Sequence, residues 1–178
     1  MKREDIIPLF RSGHDACRFA YAFSSQQYQM TVMARMMKGS GIGSGRGLHG
    51  LDGAAIAGTV KRHVEELPED SQLVIGARYE LDRARAVVYA SALIRCVMPA
   101  LGTGGHHRHM VRALVCRYFH IKGEDGAEVK LSSLCDQFAL SADTMTRRWR
   151  ATEARLREIE SRAQAQADDR MTEAGLVG

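Results

Sequence analysis

Residues 130 to 162 read KLSSLCDQFALSADTMTRRWRATEARLREIESR, a stretch in which a helix, a short turn and a second helix can be assigned residue by residue. Leu131, Leu134 and Phe138 give the first helix an apolar face, and the small Cys135 falls where two such helices must approach closely. Ala139 and Leu140 form the turn, and Ser141 is an N-cap for the second helix. Met145, Trp149, Leu156 and Ile159, spaced four, seven and three apart, are its inward stripe. Thr144, Arg147 and Arg148 then project from the opposite side of its first turns, where a major-groove reader carries its base-contacting side chains. Ser141, Thr146 and Arg150 flank them and suit phosphate contacts. The plainer reading is an amphipathic pair packed on the rest of the chain with solvated arginines; the coincidence of cap, small residue and basic outward cluster favours DNA. Three features depart from the usual pattern: Ala139 stands where glycine is common, Arg148 where a third apolar residue is common, and the preceding loop GEDGAEV is long.

Working outward, residues 106 to 121, HHRHMVRALVCRYFHI, pair an apolar stripe of Met110, Val111, Leu114, Val115 and Tyr118 with Arg108, Arg112 and Arg117. Before them Pro99 and GTGG end a helical pattern that covers LPEDSQLVIGARY and Arg83 to Val97, with Val74, Ala77 and Leu81 facing inward. An apolar run followed by Arg-Tyr occurs at Arg78-Tyr79 and again at Arg117-Tyr118, a match too short to establish a duplication. Asp52 caps an earlier helix lined by Ile56, Val60, Val64 and Leu67. Six glycines among positions 39 to 50 form a linker, preceded by a helix from Ser12 or Asp15 to about Lys38 carrying Phe19, Phe23, Met30, Met33 and Met37. The expectation is an all-α chain: an N-terminal helical segment (1–38), a Gly-rich linker (39–50), a helical middle (51–105), a helix-turn-helix DNA-binding region (106–162) and a frayed polar tail (163–178).

The whole chain has 178 residues, 45% hydrophobic and 26% charged, which supports a packed core and excludes a large multidomain enzyme. Twenty arginines against five lysines and a net charge of +4 permit a polyanionic partner. The longest nearly apolar run, Ala86 to Ile94, is half what a bilayer crossing needs, and MKREDIIPLF lacks the apolar stretch of a secretory signal; the reading is a cytoplasmic protein with no membrane partner. Cys17, Cys96, Cys116 and Cys135 are isolated and read as reduced thiols. His106, His107 and His109 with the last three cysteines lack the paired spacing of a metal site. Gly45, Gly47 and Gly50 fit a dinucleotide fingerprint without its strand, and no hydrolase or zinc-protease spacing occurs. No cofactor, metal or catalytic residue is expected.

From Met110 to Arg162 the chain resembles region 4 of σ70-type factors, through CRYF, LSSLCDQFALSADTM and RRW in that order. Over roughly residues 10 to 162 it is similar to the Q-type late-gene antitermination proteins of lambdoid phages. The order is CRFAYAF and SSQQYQ, GSGIGSGRG, LDGAAIAGTVKRHVEEL and then the σ region 4-like part, with Asp82 to Gly105 an apparent insertion. The resemblance implies a protein of a bacterial host cell that binds double-stranded DNA beside a phage late promoter. It would load onto RNA polymerase paused there with σ factor, contact nascent RNA, and make the enzyme terminator-resistant. Residues 1 to 50, with seven basic and three acidic side chains, are then the segment left for polymerase and RNA. Two alternatives stand beside it: a homodimeric helix-turn-helix regulator binding an operator with two half-sites, and a small terminase subunit.

Overall fold

The computed structural model describes residues 8–29, 50–102, 107–123 and 126–178. The protein is all-α. Its described helices are α1 (Gly13–Gln29), α2 (Gly50–Glu65), α3 (Glu69–Tyr79), α4 (Arg83–Leu101), α5 (Arg108–Tyr118), α6 (Leu131–Phe138) and α7 (Ala142–Glu173). The linker expected over 39–50 falls, apart from Gly50, outside the described residues, as do Met30, Met33, Met36, Met37 and His106. The described chain forms two compact units. One takes its residues up to Leu67, Tyr79–Leu81 and Gln164–Gly178; the other takes Pro68–Arg78 and Asp82–Ala163.

In the first unit α1 packs along α2. The seam is made of small side chains, Ala16, Cys17 and Ala20 from α1 and Ala57, Val60 and Val64 from α2, all buried, which is what lets two helices lie close. The tail expected to fray does not. α7 continues to Glu173 with Ala163, Ala167 and Met171 buried, because alanine favours helix and the spacing of four keeps one apolar side inward. The Asp168 carboxylate accepts from the Gly13 amide at the start of α1, and a side chain at Gly13 would meet Asp168 at 2.8 Å. The Phe10 amide donates to the Leu176 carbonyl at 3.0 Å. Tyr79 joins this unit through its hydroxyl, 2.6 Å from His14 Nδ1 and accepting from Gln164 Nε2 at 2.7 Å.

Burial pushes the Cys17 thiol up to about 12, with the Asp168 charge adding to the shift. The thiol therefore stays protonated in the folded chain while the unfolded chain ionises near 9.0. Stability contributed by this difference is whole below about pH 9 and lost as pH rises toward 12, at up to about 1.4 kcal/mol per pH unit. Urea unfolding at about pH 8 and about pH 10 checks this. The decline should be shallower in Cys17→Ala, and an equal decline in both proteins would show that other groups cause it.

In the second unit α4 packs on α5 and α5 on α6. Asp82 caps α4, its carboxylate accepting from the Arg85 amide at 2.9 Å, so the helical pattern of 68–97 is two helices rather than one. This capped break leaves Leu81, expected inward, 61% exposed. Pro99 does not end α4 but sits in its last turn; Gly102, with φ 57, ends it. α4 is long and apolar enough by composition to cross a membrane, yet Ala86, Ala90, Leu93, Ile94 and Val97 are buried in this unit and Arg95 pairs with Glu69. Gly76 of α3 has no side chain because the Tyr89 ring occupies the space, 2.7 Å from where a Cβ would stand. The helical middle expected over 51–105 thus divides: α2 belongs with α1, while α3 up to Arg78 and all of α4 fold with residues 107–163. Long-range burial sets this grouping, which order along the chain does not encode.

Candidate nucleic-acid interface

α6, the residues 139–141 and α7 follow one another as a helix, a turn and a helix. α6 ends in a left-handed residue, Ala139 at φ 50 and ψ 46, with the Leu140 amide donating to the Cys135 carbonyl at 3.0 Å. The missing glycine is therefore a real departure: alanine holds a conformation that costs an L residue about 1 to 2 kcal/mol. Ala139→Gly should raise unfolding free energy by about 0.5 to 1 kcal/mol, since extra chain entropy in the unfolded state offsets part of the relief. A denaturant midpoint unchanged or lowered by this substitution would contradict the assignment.

Ser141 caps α7 as expected, its Oγ accepting from the Thr144 amide at 3.3 Å and donating to Thr144 Oγ1 at 2.9 Å. Thr144 is consequently half-buried and engaged in the cap rather than projecting freely. Arg147 and Arg150 are exposed, and among the described residues neither has an acidic partner. Arg148 is the clearest correction: it is half-buried and donates from Nη1 to Met110 Sδ at 3.1 Å. Its position three residues after the buried Met145 turns it toward α5, so its stem packs where an apolar residue is common. Thr146 is half-buried and Ser141 exposed. Asp136 and Asp143 are exposed near the turn and limit the local positive field.

Met145, Leu156 and Ile159 are fully buried, as their spacing predicts, with Thr152 between them. Trp149 is only half-buried, because it lines an open cleft; the Arg117 guanidinium lies over its ring, 5.2 Å from the centroid. Sequence reading missed the polar network beside it. Arg78 donates from Nε and Nη2 to the two carboxylate oxygens of Glu160 at 2.6 and 2.7 Å, and the Tyr118 hydroxyl donates to Oε2 at 2.6 Å. Burial, reinforced by that bond, pushes the Tyr118 hydroxyl up to about 12, so it remains a donor. Of the two Arg-Tyr pairs, only Arg78 and Tyr118 enter this cluster, while Tyr79 belongs to the first unit. Among the described residues no group of three or more His, Cys, Asp or Glu could hold a metal ion.

These observations define an all-α protein whose C-terminal half presents a capped helix bearing free arginines after a tight turn. No family model, no curated protein and no solved structure matches the chain.

Proposed function

We propose that this protein is a sequence-specific DNA-binding regulator of transcription that lays the first turns of α7 in the major groove. The observation that carries the reading is the exposed pair Arg147 and Arg150, neither of them in an ion pair among the described residues, on the turns that follow the Ser141 cap. Arg147 is placed to read a base edge, while Ser141 and Arg150 suit phosphates. Thr144 and Thr146, half-buried, border this surface, and Arg148 serves it indirectly by fixing α7 against α5.

Likeness to σ region 4 and to Q-type antitermination proteins extends the proposal to a phage late-gene antiterminator. Such a protein binds beside a promoter, loads onto RNA polymerase held there with σ factor, and obstructs terminator hairpins as nascent RNA emerges. Run-off transcription across a terminator tests this extension, and termination unaffected by the protein would remove it.

DNA binding is tested first. On a selected duplex, Arg147→Ala should lose about 1 to 3 kcal/mol and relax preference at one base pair. Arg150→Ala should weaken all sequences alike and reduce the salt slope by about one. Anisotropy titrations showing both variants equal to the parent would remove the assignment. A footprint of two half-sites would instead favour a dimeric operator-binding regulator.

A further inference from the structure

The second unit contains a cleft of about 370 Å³ walled by the end of α5, the following segment and the middle of α7. That volume lies within the range of small-molecule sites and far above a packing gap, which holds a water or nothing. Its walls combine rings, from Trp149 and Tyr118, with the apolar Ile121 and several charges.

The charges are not equivalent. Arg78 spends its fork on Glu160, and Arg157 donates to Glu153 at 2.9 Å. Arg117 differs: among the described residues it forms no salt bridge, although Glu128 and Glu153 line the same cleft. Its Nη1 donates to the Val129 carbonyl, which holds the guanidinium over Trp149. Its Nε is buried with no hydrogen-bond partner. Arg78 fills its Nε and Nη2 with the two oxygens of Glu160, whereas the Nε of Arg117 in the same unit has no partner. A buried donor without a partner costs free energy that an incoming acceptor would recover. His120, which follows the α5 C-cap Phe119 at φ 56, and the exposed Glu128 also stand in the cleft wall.

We propose that this cleft binds a small aromatic oxyanion, whose carboxylate or phosphate pairs with the Arg117 guanidinium while its ring lies among Trp149, Tyr118 and Ile121. The site is defined by its own residues and does not depend on DNA binding.

Trp149 is the one tryptophan of the chain, so its fluorescence reports the cleft directly. Benzoate and adenosine monophosphate serve as probes carrying the two oxyanion types; acetate and adenosine supply the charge or the ring alone. At least one probe should give a saturable change in Trp149 emission, and both controls should be much weaker. Arg117→Lys keeps a cation beside the indole but loses the fork. It should weaken the bound probe by about ten- to a hundredfold. If that variant melts early by circular dichroism, the wild-type comparison decides alone. Failure of both probes to saturate on the wild-type protein overturns the proposal. Acetate or adenosine binding as tightly as the probes, or a well-folded Arg117→Lys protein binding unchanged, overturns it as well.

Discussion

Leu156→Ala should lower unfolding free energy by about 3 to 4 kcal/mol. Leu156 is fully buried on α7, eleven residues after Met145 and three before Ile159, which are fully buried too. Removing most of its side chain leaves a void that α7 cannot close, since a helix with buried neighbours on both sides of the site has little freedom to shift. That loss is a large part of the 5 to 15 kcal/mol that holds an ordinary domain folded, roughly. Leu131→Ala is the control: Leu131 lies half-exposed on α6, so its truncation should cost about 1 kcal/mol. Chemical denaturation of the two variants gives the comparison, and equal losses would mean that the Met145–Leu156–Ile159 side is not the core of this helix.

Arg78→Met should cost about 2 to 4 kcal/mol, for a different reason. The Arg78 and Glu160 side chains are 29% and 17% exposed, so solvent can replace only part of what Glu160 loses when its cation goes. The guanidinium also lies 5.4 Å from the Tyr118 ring centroid and 5.1 Å from that of Phe119, contacts that Met partly refills. Pairing the substitution with Glu160→Gln removes the stranded charge and leaves an amide oxygen for the Tyr118 hydroxyl, so more than half of the loss should return. The double-mutant cycle reads this directly. Additive losses in the two substitutions would show that the pair contributes little beyond its packing.

The two substitutions separate what was legible in the chain from what was not. Leu156 is legible because helical periodicity is local: Met145, Leu156 and Ile159 declare an inward side whatever they pack against. The Ser141 cap and the bend at Ala139 and Leu140 are legible for the same reason, each being settled within four residues. Arg78 is not, since its partner Glu160 lies 82 positions away and neither residue belongs to a recognisable spacing. Arg148 was misread because a guanidinium on a helix flank is compatible with solvent, a phosphate or a buried sulfur. Only the approach of Met110 decides among them. Trp149, expected to be hidden, is instead shared between the core and a cleft whose other walls include Arg78, the end of α5, Ile121 and Val129.

Local chemistry in the amino-acid order was enough for the helical class, for the turn between α6 and α7 with its Ser141 cap, and for the buried stripe of α7. Periodicity, capping side chains and proline or glycine act over a few residues and need no distant partner. The packed chain alone decided that residues 163–173 are built in rather than loose, that α2 and α3 part company, and that Arg117 faces an open cleft. Each of those outcomes depends on which surfaces meet after the helices form, and burial is a property of the pair of surfaces, not of either sequence segment by itself.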